Sequence, residues 1–77
     1  MSNQSIEQSV RDSLEGYFRD LEGEVPANVY DMVIRLVEKP LLEVVMSQAG
    51  NNQSRAADWL GLNRNTLRKK LVEHQML

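Results

Sequence analysis

A chain of 77 residues with no cysteine has room for one domain at most and cannot carry a disulfide framework, a thiolate metal site or a cysteine nucleophile. The lack of cysteine fits a reducing compartment, and no apolar stretch approaches the roughly 20 residues that cross a bilayer, so a cytoplasmic protein without membrane contact is expected. The net charge of −2 hides a polarity: residues 1–49 hold four basic against nine acidic residues (net −5), while residues 50–77 hold five against two (net +3).

Residues 1–5, Met-Ser-Asn-Gln-Ser, offer no apolar anchor and are expected to form a disordered N-terminus outside the packed body. From Ile6 to Leu21 the apolar positions Ile6, Val10, Leu14, Tyr17, Phe18 and Leu21 recur at steps of three and four, which predicts a helix with one buried stripe. Ser5 or Ser9 can cap its start, and Gly23 is placed to stop it. Asn28 can cap a second helix, whose apolar residues run along two sides. Val29, Val33, Leu36, Val37 and Val44 line one side, and Tyr30, Ile34, Leu41 and Val45 another. Such a helix must be covered from more than one direction. The first helix can cover only part of it, so residues 6–49 are expected to form an intertwined homodimer core, with Val33, Ile34, Val37, Leu41, Val44 and Val45 at its centre. Pro40 interrupts the run without a Gly, Asn or Ser cluster beside it, which predicts a kink in one helix rather than a break into two.

Residues 50–77 read as a helix-turn-helix. Gly50-Asn51-Asn52 tolerates left-handed backbone and ends the second helix, Asn52 caps a third over about Gln53 to Leu60, and Asn63 caps a fourth that reaches Glu73 or His74. Ala57 is small where two helices nearly touch, Gly61 supplies the positive φ of a tight turn, and Leu62 and Leu67 fill the angle. The fold class is therefore all-α, with four helices per chain, and the partner expected from the basic second half is double-stranded DNA. In a helix-turn-helix the second helix enters the major groove N-terminus first. Arg64 can then pair bidentately with guanine, Asn63 with adenine, and Arg68 lies one turn along on the face of Arg64. Lys69 and Lys70 suit phosphate as flexible point charges. Asn65 and Thr66 in the first turn, and Asn52 and Ser54 at the start of the third helix, are further phosphate contacts.

Other residues carry a plainer reading. Trp59, Tyr17, Phe18 and Tyr30 fit core or partly exposed packing, Met32 and Met46 fill gaps in a helical core, and His74 is read as a surface residue without metal-ligand partners. Glu22 and Glu24 flank a loop glycine with no nucleophile near them. No catalytic constellation, metal site or cofactor site is expected.

With these residues in place, the chain from about Ser9 to Leu71 resembles the Fis (factor for inversion stimulation) family of bacterial nucleoid-associated proteins. The resemblance rests on Glu38-Lys39-Pro40-Leu41-Leu42-Glu43, on Asn52-Gln53-Ser54-Arg55-Ala56-Ala57 and on Leu62-Asn63-Arg64-Asn65-Thr66-Leu67-Arg68-Lys69-Lys70-Leu71. The second and third of these are shared with C-terminal DNA-binding modules of NtrC-type activators; the chain is read as complete at 77 residues, without an ATPase domain. The resemblance implies a dimeric DNA-bending transcriptional regulator, associated with the nucleoid, with two fourth helices closer than one DNA turn and with RNA polymerase or other transcription proteins as further partners. It implies base contacts by Asn63 and Arg64, and DNA contacts, mostly to the backbone, by Asn52, Ser54, Thr66, Arg68, Lys69 and Lys70. The β-hairpin arm of the recombinase-stimulating members is not expected ahead of Ile6, and Val72 and Glu73 stand where the family often has further lysines. A helical module that docks on another protein through the two-sided second helix is the competing reading.

Overall fold

The computed structural model describes residues 3–77, with side chains from residue 5 onward. Four helices follow one another: α1 (Asn3–Leu21), α2 (Val29–Gln48), α3 (Gln53–Leu60) and α4 (Arg64–Glu73). The first turns of α1 reach upstream of Ile6, so Asn3 to Ser5, expected outside the packed body, are helical. No Gly or Pro interrupts the backbone there, and a ladder once nucleated propagates at little cost. Met1 and Ser2 lie outside the described residues. The side chains from Ser5 to Ser9 are exposed.

Each later helix ends in the same way. Asn51 donates to the Met46 carbonyl at 2.8 Å and Gly50 to Ser47 at 3.1 Å, Leu62 donates to Ala57 at 2.9 Å and Gly61 to Asp58 at 3.2 Å, and Met76 donates to Leu71 at 2.8 Å and Gln75 to Val72 at 3.0 Å. These are Schellman closures, which satisfy carbonyls that the helix leaves without partners. The geometry demands a left-handed residue, supplied by Gly50 (φ 65°) and Gly61 (φ 74°) and, at the chain's end, by Gln75 (φ 59°). The starts of α3 and α4 are capped as expected: Asn52 Oδ1 accepts from the Arg55 amide at 3.0 Å and Asn63 Oδ1 from the Asn65 amide at 2.7 Å. Asn28 differs. It stands at the start of α2 in left-handed backbone (φ 54°) without a side-chain cap, and contributes only its carbonyl, which accepts from Met32 at 3.0 Å. A left-handed residue turns its side chain away from the donors of the first turn.

α2 runs unbroken past Pro40, so the region is one helix. Its Leu42, Met46 and the following Ala49 meet Ala56 and Ala57 of α3 and Leu67 and Leu71 of α4, and these seven form the buried core, with Val45, Leu60 and Met76 against it. Val45, expected at a dimer centre, thus packs within its own chain. The alanines explain the close approach of α3, since a larger side chain at a position 0–1 % exposed would force the helices apart. The other sides of α2 stay open: Tyr30 is 80 % exposed, Leu36 68 % and Val44 60 %. Tyr17 and Phe18 stack edge to face at 5.6 Å, and Phe18 remains half exposed. No described helix is long and apolar enough to cross a membrane.

Candidate nucleic-acid interface

The two capped N-termini, of α3 and α4, meet at one edge of the helix-turn-helix. Gly61 sets their angle, because a positive φ there reverses the chain within the two residues before Asn63. Along α4, a step of about 100° per residue sorts the side chains into two faces. Leu67 and Leu71 point inward and are 0–1 % exposed. Lys70 and His74 flank them. Arg64, Asn65, Thr66, Arg68 and Lys69 face solvent.

The outward residues converge. Gln53, Ser54, Arg64, Asn65 and Arg68 line an open cleft of about 250 Å³ between the two N-termini, and the Arg64 guanidinium donates through Nη1 to Ser54 Oγ at 3.3 Å. Arg68 and Lys69 continue the surface toward Val72 and Glu73. None of the ion pairs among the described residues engages Arg64, Arg68 or Lys69, so three cations stand on the solvent face within six residues. Unsatisfied backbone donors at two helix starts add partial positive charge to the same edge.

The nine residues expected to touch a polyanion therefore divide. Asn52, Ser54, Asn63, Arg64, Asn65, Thr66, Arg68 and Lys69 are exposed, with Asn52 and Asn63 holding amide N–H groups free while their carbonyls cap helices. Lys70 is set apart. Its Nζ donates to Glu38 Oε2 at 2.8 Å, across 32 residues of sequence, and its position beside Leu67 and Leu71 directs it toward α2. His74, read as a surface residue, is corrected: its side chain is 6 % exposed and its Nε2 lies 2.9 Å from Glu38 Oε1. One carboxylate, itself 16 % exposed, thereby ties the end of α4 to α2. The Lys70 hydrogen bond is the main cause that holds the Glu38 carboxyl below its ordinary 4.5, against the desolvation that would raise it. The same bond raises Lys70 above 10.5. The period of α4 places positions 67, 70, 71 and 74 on one helical face, but nothing in the sequence marks Glu38, on α2, as their acceptor.

Away from this edge, α1 and α2 face each other across an apolar cleft of about 290 Å³, lined among others by Val10, Leu14, Tyr17, Met32, Val33 and Val37. Ile34 and Leu41 also remain 39 % and 47 % exposed. Val33, Ile34, Val37, Leu41 and Val44 are thus uncovered or partly covered by their own chain. Among the described residues no cluster of His, Cys, Asp and Glu could hold a metal ion. Trp59, on α3, is 58 % exposed.

Comparison with known proteins gives one answer. The profile of the bacterial regulatory protein, Fis family, matches residues 33–74, which hold most of α2 and all of α3 and α4. A Fis-like DNA-binding protein of Ralstonia nicotianae is 64 % identical over 77 residues, the whole of both chains. A Fis-like DNA-binding protein of Neisseria meningitidis serogroup A is 61 % identical over 72 residues, 94 % of this chain and 91 % of the relative. The DNA-binding protein Fis of Actinobacillus succinogenes is 43 % identical over 76 residues, 99 % of this chain and 77 % of the relative. The helix-turn-helix with its exposed cations thus stands in a chain that belongs to the Fis family of bacterial regulatory proteins.

Proposed function

We propose that this protein is a homodimeric, nucleoid-associated DNA-binding regulator of the bacterial cytoplasm, without catalytic activity, that lays α4 of each protomer in successive major grooves and bends the duplex between them. The observation that carries the reading is the solvent face of α4, where Arg64, Arg68 and Lys69 stand unpaired beside two helix N-termini. Arg64 and Asn63 at the leading end suit base edges, with Arg68 behind them, whereas Lys69, Asn65, Thr66 and Asn52 suit phosphates. Lys70 is left out of this set because Glu38 holds it.

Surface area supports the dimer. A compact monomer of 8.8 kDa exposes about 4,800 Å², whereas this chain exposes 6127 Å². Its radius of gyration of 14.9 Å likewise exceeds the about 11.5 Å of a compact chain of this length. An excess of about 1,300 Å² per protomer matches the large apolar interfaces of permanent homodimers, and the open cleft between α1 and α2 with Val33, Ile34, Val37, Leu41 and Val44 is where a second copy would cover it. With two copies of α4 closer than one helical turn, as the family resemblance implies, a straight duplex cannot present both major grooves, and selectivity would follow the deformability of the base pairs between them.

Titration of a labelled duplex of two to three helical turns, followed by anisotropy across a salt series, tests the reading. Saturation at two chains per duplex is expected. Two phosphate-bound cations per dimer, Lys69 from each protomer, give a log–log salt slope of about −1.8, against about −3.6 if Lys70 also bound phosphate. Arg64→Ala should cost about 1 to 3 kcal/mol on a selected site while leaving the dimer intact by light scattering. Absence of binding at low salt would refute the DNA assignment, and a stable monomer would refute the dimer.

A further inference from the structure

The Arg64–Ser54 contact joins the two helices of the motif at the edge that carries the cations. Arg64 is the first residue of α4 and Ser54 the second of α3, ten positions apart in sequence, with the Arg64 Nη1 donating to the Ser54 hydroxyl at 3.3 Å. An arginine side chain is among the costliest to immobilise, because its rotamers are many. No carboxylate among the described residues pairs with this one. The hydroxyl is a neutral acceptor, so it can hold the guanidinium without neutralising it, and four of the five N–H donors remain for a ligand. Both residues line the same cleft as Arg68 and Asn65, on backbone fixed by the Asn52 and Asn63 caps.

We propose that Ser54 is a positioning residue for base recognition: its hydroxyl pre-sets the Arg64 guanidinium toward the major groove, in place of the phosphate contact that its position at a helix start suggests. The inference rests on the DNA-binding reading above and assigns part of the sequence specificity to a side chain that touches no base. Pre-setting lowers the ordering cost of binding, and that gain is realised only where Arg64 finds its base.

A double-mutant cycle separates the two roles. Duplexes selected by the wild-type chain from a random library and a mixed-sequence duplex serve as probes for wild type, Ser54→Ala, Ser54→Thr, Arg64→Ala and the Ser54→Ala/Arg64→Ala pair. Ser54→Ala should weaken binding to the selected duplex by about three- to tenfold and to the mixed duplex by less than about twofold. The loss should vanish in the Arg64→Ala background, because the hydroxyl then has nothing to position. Ser54→Thr, which keeps the hydroxyl, should restore selected-site affinity, and circular dichroism should show unchanged helix content in all variants. Equal losses on both duplexes and in both backgrounds, or no rescue by threonine, would overturn the positioning role while leaving DNA binding in place. Failure of the wild-type chain to bind either duplex would instead overturn the DNA-binding reading, and this inference with it.

Discussion

Glu38→Ala removes the carboxylate that anchors the end of α4, and its cost can be worked from the exposure of the two partners. Lys70 is 31 % exposed at its side chain, so its ammonium regains water and the lost pair costs about 0.5 kcal/mol or less. His74 is only 6 % exposed, so its Nε2 is left without a partner in a largely dry site, at a cost of about 1 to 3 kcal/mol. Alanine is the best helix former and adds no backbone penalty. The total of about 2 kcal/mol corresponds to a fall in melting temperature of about 8 to 16 °C for a domain of this size. Melting followed by circular dichroism at fixed protein concentration reads it, and Glu38→Gln, which keeps hydrogen-bonding capacity, should lose less than half as much. The pH dependence follows from the two shifts. Glu38 is held below its ordinary 4.5, so its contribution is present above that value and lost as pH falls through the lower folded value. Lys70 is raised above 10.5, so its contribution is present below that value and lost as pH rises through the higher folded one. The wild-type advantage attributable to these two groups should therefore hold through neutral pH and narrow at both extremes. A melting temperature for Glu38→Ala within about 2 °C of wild type at pH 7 would refute the clamp.

Gly61→Ala places a Cβ where no atom lies within 4 Å, so only the left-handed backbone (φ 74°) is penalised, at about 1 to 2 kcal/mol in urea unfolding; a neutral result would refute the turn geometry. Asn63→Ala removes the cap on the Asn65 amide and should cost about 1 kcal/mol of stability in addition to weakening DNA binding; loss of binding without loss of stability would deny the cap. Leu71→Ala, at a position 1 % exposed, should cost about 2 to 5 kcal/mol, and a smaller loss would mean that the α2–α4 contact closes over the gap. If a second copy covers the α1–α2 cleft, the melting temperature should rise with protein concentration, and a constant value over a hundredfold range would speak for a folded monomer.

The elements that could be read from the sequence are those set by local chemistry. Asn52 and Asn63 cap because an asparagine before a helical pattern has a donor within reach two or three residues on, and Gly61 turns because few other residues adopt its φ at low cost. Ala57 and Leu67 lie in the core where the hinge pattern placed them, and the outward cations follow from the period of α4. What was illegible depends on distance along the chain or on a choice between equivalent faces. Val45 could have served either side of α2, and only the docking of α3 and α4 decides that it joins Leu42 and Met46. Glu38 gives no sign in the sequence that its carboxylate meets groups 32 and 36 residues away, so the burial of His74 is not legible there. Asn28 carried the right side chain for a cap, but its left-handed backbone prevents the contact.

The division of the core bears on how such a protein could bend DNA. All seven apolar residues buried among the described ones lie between Leu42 and Leu71, so the recognition unit is closed within one chain, whereas α1 and the outer sides of α2 keep apolar surface exposed. α4 is fixed to α2 twice, by Leu67 and Leu71 in the core and by Glu38 on Lys70 and His74. Burial of two leucines contributes about 3 to 6 kcal/mol, and the clamp about 2 kcal/mol more. Swinging α4 away from α2 to suit a straight duplex would sacrifice most of that in each protomer. Smooth bending of a 20 to 30 base-pair site costs about 1 to 6 kcal/mol once. In the complex proposed above, two such units set by one dimer core are therefore stiffer than the duplex between them, and it is the DNA that would yield.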